Sequence, residues 1–128
     1  MEKGKSFTEL IVWQKAHQLT LDVYKMTQQF PKEEIYGITS QIRRASVSIA
    51  ANIAEGYRRR TRKDKARFFN ISEGSLDEVK YYLILAKDLS FIKENSTLLS
   101  MADEVSKLLH SYKNAILKPD SYLLNSSK

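Results

Sequence analysis

The chain has 128 residues, a length suited to a single domain that buries enough surface to need no covalent staple. It has no cysteine, which excludes a disulfide framework and thiolate chemistry, and its 21 basic and 15 acidic residues leave a formal charge of +6. The opening MEKGKSF lacks the apolar core of a secretory signal, and no apolar run nears the roughly 20 residues of a membrane helix, so the expectation is a soluble cytoplasmic domain without a membrane partner.

Gly and Pro are scarce, and the segments between them carry helical periodicity. In the first, Val12, Ala16, Leu19, Val23, Met26 and Phe30 recur at steps of three and four, one stripe of a helix. Leu10, Trp13, His17, Leu21 and Tyr24 form a second stripe beside it. Together they predict a wide buried face, with His17 as a structural histidine. Ser6 and Glu9 have capping-box spacing, so residues 1–8 read as an extension and the bundle as 9–118. Pro31 ends this helix because its ring disfavours helical backbone at Phe30.

The second segment runs from 35 or 38 to 58, with Ile38, Ile42, Ala45, Ile49 and Ile53 as its core stripe. Ser46, Ser48, Ala50, Ala51 and Ala54 are small enough for a neighbouring backbone to come close. Gly56 stands near the C-terminus, where glycine tolerates a left-handed cap. Gln41, Arg44, Ser48, Asn52 and Glu55 make a polar stripe beside the apolar one. Arg44 and Glu55 lie about 16 Å apart along the axis, too far to pair. The reading is an interhelical network, a contact with another subunit or a ligand site, with Glu73, Asp77 and Glu78 as candidate partners for Arg43 or Arg44.

The third segment spans 62–90, with Thr61 as N-cap and Asp64 three residues on. Phe68, Ser72, Ser75, Val79, Tyr82, Ala86 and Leu89 form its stripe, widened by Phe69, Leu76 and Leu83. Gly74 sits mid-helix at a cost of about 1 kcal/mol relative to Ala. Close packing of Gly56, Gly74 and Ser75 in the contact between the second and third helices would offset that cost. The fourth segment spans 96–118, carrying Leu98, Met101, Val105, Leu109, Tyr112 and Ile116. Pro119 stops it, and 119–128 read as a loose tail. His110 falls beside this stripe, exposed or at an interface. The fold expected is all-α, an up-down-up-down four-helix bundle.

No HExxH, glycine-rich phosphate loop or nucleophile elbow occurs, so no catalytic residue, metal or cofactor is expected. The charge is the informative feature. Residues 58–67 hold Arg58, Arg59, Arg60, Arg62, Lys63, Lys65 and Arg67 against one acid, Asp64. Outside them the two signs balance, so the whole formal charge sits there. Arg58–Arg60 suit a helix C-terminus, where the dipole favours cations. Arg62, Lys63 and Lys65 fall in the first turn of the next helix, the wrong pole. Local stability does not account for them; a docked anion would, since nucleic-acid phosphates meet both backbone N–H groups and cationic donors there, and the alternative is a solvated end that promotes solubility. Tyr57 and Phe68 border the cluster and read first as core residues, with stacking on bases as the alternative.

The strings VWQKA at 12–16, FPKEEIYG at 30–37, SQIRRASVSIAANIAEGY at 40–57 and ARFFNISEGSLDE at 66–78 resemble, in this order and spacing, the four helix bundle protein family. That family is also called the 23S ribosomal RNA intervening-sequence protein family. Gln41, Arg43, Arg44, Asn52, Glu55 and Gly56 match its first motif, and Phe68, Gly74 and Ser75 its second. The resemblance implies a left-handed bundle that assembles as a ring-like homo-oligomer, commonly a pentamer, and a link to RNA or the ribosome. A similar fold serves as an accessory protein of retroelements, binding a reverse transcriptase and nucleic acid. The stretch YRRRTRKDK departs from the family, which often has Gly where Arg58 stands and carries fewer cations. Two non-enzymatic readings follow: a ribosomal-RNA-binding oligomer with a basic rim, and a protein–protein adaptor whose cations face an acidic partner.

Overall fold

Four helices carry the chain: α1 (Ile11–Thr27), α2 (Ile38–Arg58), α3 (Arg62–Asp88) and α4 (Ser96–Leu117). The computed structural model describes residues 6–118, and the expected tail at 119–128 lies outside them. No strand occurs among the described residues. Short 3-10 turns, Phe7–Glu9 and Lys32–Glu34, precede α1 and α2. Each helix packs on its two neighbours in cyclic order, and the diagonal pairs do not approach. With connections this short, the result is the expected up-down-up-down four-helix bundle.

One apolar cluster fills the centre. Leu19 and Val23 of α1, Ile42, Ile49 and Ile53 of α2, Phe69, Leu76 and Leu83 of α3, and Val105 and Leu109 of α4 are all but inaccessible. Each such side chain contributes about 1.5–3 kcal/mol on burial. The α2–α3 contact is the most extensive, because α2 is built of small residues on that side. Across it the Ser72 hydroxyl donates to the Ile49 carbonyl at 2.9 Å, and the Ser75 and Ser48 hydroxyls meet at 2.8 Å. The α3–α4 seam is more polar. Lys80 reaches Ser106 at 3.0 Å and Asp103 at 3.1 Å, and Lys113 reaches Asn70 and Glu73, both at 2.9 Å.

Several expectations are corrected. The second stripe of α1 is not core: Leu10 and Trp13 are half-buried, while His17, Leu21 and Tyr24 are exposed. Two neighbouring helices cover only one stripe of α1. His17 instead stacks on Trp13 at 5.0 Å between ring centroids. Ser6 caps the first 3-10 turn, not α1: its Oγ accepts from the Thr8 N–H at 3.1 Å. In α3 the buried stripe is turned towards Phe69, Leu76 and Leu83, leaving Leu89 exposed and Phe68 and Tyr82 half-buried.

The two motif glycines differ. Gly56 lies inside α2 with no positive φ, so it is not a left-handed cap. A Cβ there would run into the Phe69 ring, 2.8 Å from Cδ1. Its role is close approach. Gly74 is exposed, and a Cβ there would meet nothing within 4 Å. Packing within the chain therefore does not offset its cost, contrary to expectation.

Candidate nucleic-acid interface

The basic end is the turn between α2 and α3. Gly56 admits Phe69, whose ring meets Tyr112 of α4 edge-on at 5.3 Å, so three helices converge beneath the turn. Burial pushes the Tyr112 hydroxyl above its usual range, with Tyr57 adding to the effect. At the end of α2 the chain turns extended at Arg59 and re-enters helix at Arg62. Thr61 caps α3 as expected, its Oγ1 accepting from the Asp64 N–H at 3.1 Å. The N–H groups of Arg62 and Lys63 are left without intrahelical acceptors.

Six of the seven cations fall into three groups. Arg58, Arg60, Arg62 and Lys63 are exposed and form no ion pair among the described residues. Arg67 is exposed too, but its guanidinium carbon lies 4.7 Å from the centroid of the Phe68 ring. Arg59 lies 4.8 Å from the same centroid and pairs with Glu55 one turn back. Its Nε is enclosed and has no partner among the described residues.

Lys65 belongs with none of these. Its ammonium donates to the Tyr57 carbonyl at 2.9 Å and the Gly56 carbonyl at 3.1 Å. Partial burial lowers its pKa from the usual lysine value. Those carbonyls are among the last four of α2, and the Gly56 carbonyl also accepts from the Arg59 N–H at 3.2 Å. Lys65 is therefore a cross-turn cap on α2. Its position at the unfavourable pole of α3 is explained by the favourable pole of α2 that it reaches. Two of its three donors are held by these carbonyls, so it is tied to the turn in a way the exposed cations are not.

The polar stripe of α2 does not form the expected network. Arg43 turns towards α1, where its Nε donates to Thr27 Oγ1 at 2.8 Å and its guanidinium lies 4.7 Å from the Tyr24 ring centroid. Glu73 takes Lys113 instead, and Glu55 takes Arg59. Asn52 bonds within its own helix to Ser48, at 2.8 Å to the carbonyl and 3.0 Å to the hydroxyl. Gln41 and Arg44 are exposed, and neither makes a side-chain bond among the described residues. What sequence reasoning missed is the role of Phe68 as a shelf for two arginines. The signal was its position beside Arg67 and one helical turn after Asp64.

The geometry defines a class: a small antiparallel helical bundle with a dense cluster of exposed cations on the turn at one end. A family model described as 23S rRNA-intervening sequence protein matches residues 8–111, and the chain belongs to that family. A crystal structure of a protein of unknown function, from the S23 ribosomal protein family of Bacteroides thetaiotaomicron VPI-5482, has a similar fold. Its TM-score is 0.74 at 24% identity, over 81% of this chain and 96% of that one. No protein with a curated description matches.

Proposed function

We propose that the protein is a non-catalytic, cytoplasmic nucleic-acid-binding bundle, and that RNA phosphates dock on Arg58, Arg60, Arg62 and Lys63. The observation that carries this reading is the set of four exposed cations without ion-pair partners on one capped turn. Their mutual repulsion lowers stability, and an anion removes it. The family description names 23S rRNA, which makes ribosomal RNA or the ribosome the first target to try. Binding of this kind is read through phosphates, so it is salt-dependent and nearly indifferent to sequence. The test is the salt dependence of RNA affinity for the Arg60→Glu, Arg62→Glu double variant. Weaker binding and a shallower slope of log K against log salt are expected. Unchanged binding removes the turn from the function.

Self-assembly, as a pentamer, belongs to the same reading, and Gly74 supports it. The Ser48–Ser75 contact lies between two outward rows, Arg44, Val47 and Ala51 on α2 and Ile71, Gly74 and Glu78 on α3, all exposed. A bare mid-helix glycine costs stability, and a second copy packed on it would recover that cost. A ring built this way would bring several basic turns to one rim. Native mass measurement reports the size, and a monomer at micromolar concentration overturns assembly.

A further inference from the structure

The seven cations of the turn are not equivalent, and the difference bears on which form of nucleic acid the site takes. Arg59 and Arg67 both place their guanidinium carbons within 4.8 Å of the Phe68 centroid. Arg59 is held there by Glu55, which also compensates its charge, so it is a poor phosphate ligand. Arg67 makes no ion pair among the described residues and is exposed. Two guanidinium groups on one ring offer flat, polarisable surface as well as charge.

We infer that Arg59, Phe68 and Arg67 form a stacking platform for an unpaired nucleobase, so that the basic end selects single-stranded over double-stranded nucleic acid. This rests on the phosphate-binding reading above and deepens it. A guanidinium supported on one face by an aromatic ring presents its other face, and bases stack on such planes as they do on aromatic side chains. A base held there has its phosphates beside Arg58, Arg60, Arg62 and Lys63. A duplex hides its base faces and can use the charges of the turn but not the plane. An acidic protein meets the same limit, because carboxylates gain nothing from a stacking plane. Stacking tolerates any base, so the platform selects strandedness and not sequence.

The test uses the full chain and a short fluorescein-labelled single-stranded RNA, followed by anisotropy across a salt series. The same RNA annealed to its complement, a single-stranded DNA of the same sequence, and unlabelled heparin as a base-free competitor complete the set. Single strands should bind about tenfold more tightly than the duplex, the difference one stacked base supplies. Phe68→Leu, which keeps the charge, should lower single-strand affinity by about that factor and leave duplex affinity and the salt slope unchanged. Arg67→Lys, at an exposed position, keeps the charge and removes the plane. It should act in the same direction, and it carries the test alone if Phe68→Leu fails to fold. Duplex binding as tight as single-strand binding overturns the platform and leaves phosphate docking in place. So does an equal loss on both substrates in the variants, or heparin displacing both with equal ease. No binding of any nucleic acid removes both readings. Single-stranded DNA binding as well as RNA supports the platform and counts against RNA as the particular target.

Discussion

The ammonium of Lys65 lies 2.9 Å from the Tyr57 carbonyl oxygen, joining the first turn of α3 to the last turn of α2. Lys65→Met keeps the aliphatic stem and removes the charged donor. The variant should lose about 1 kcal/mol, the contribution of an ordinary hydrogen bond, because the site is only partly buried. In thermal unfolding that is a fall of about 4 °C in Tm. Its RNA salt slope should match that of the parent, whereas Arg60 and Arg62 variants should show the reverse pattern.

Gly56 and Gly74 should respond to alanine with opposite signs. At Gly56 the added methyl meets the Phe69 ring, an immobile aromatic at the centre of the bundle. Overpacking of this kind costs about 1–3 kcal/mol and outweighs the roughly 1 kcal/mol gained in helix propensity. At Gly74 there is open space, so Gly74→Ala should stabilise the isolated chain by up to about 1 kcal/mol. Urea unfolding at low protein concentration reads both signs. Native mass of the Gly74 variant should shift towards smaller species, because the new methyl stands in the proposed contact between copies.

Ser90 ends α3 at a φ of 65°, the left-handed region. The Phe91 N–H reaches back to the Ala86 carbonyl at 2.8 Å and the Ser90 N–H to the Lys87 carbonyl at 2.9 Å, which closes the helix end. A side chain resists this conformation and glycine does not. Ser90→Gly should raise stability by about 0.5 kcal/mol, after allowing for the extra freedom glycine gives the unfolded chain. The urea midpoint should move up with an unchanged m-value.

Glu94 caps the start of α4. Its Oε1 accepts from the Ser96 hydroxyl at 2.7 Å, the Ser96 N–H at 2.8 Å and the Thr97 N–H at 3.4 Å. Hydrogen bonds from the Ser96 hydroxyl and from the Thr97 and Ser96 N–H groups, with the nearby Lys87 charge, hold the carboxyl below its usual range. A depressed carboxylate pKa means the unfolded chain takes up its proton first. The cap therefore contributes fully above the ordinary carboxylate pKa and is lost as pH falls through the lower, folded value. Stability of the parent should decline over that acid window more steeply than that of Glu94→Gln, as followed by urea midpoints against pH.

Much of the fold was legible because a helix repeats its burial every three or four residues. Val12, Ala16, Leu19, Val23, Met26 and Phe30 were read as one stripe, and all are buried. The site was legible as a place and misleading in detail. Lys65 looked like a cation at the wrong helix pole because its partners, the carbonyls of Gly56 and Tyr57, belong to the helix before. Sequence offers Arg43 the acids of α3 as candidate partners, whereas in the fold it bonds to Thr27 of α1.

Composition, periodicity and the punctuation by Pro31 and Thr61 determined the number of helices, their approximate bounds, the main core stripes and the end that carries the charge. These are local properties, set by a residue and its neighbours within a turn or two. Tertiary structure alone decided that Gly56 faces a ring and Gly74 faces open space, which arginines rest on Phe68, and which lysine is spent on a carbonyl. A helix's own periodicity gives the angle at which a side chain leaves the axis. It does not say which other helix stands at that angle, or whether one stands there at all.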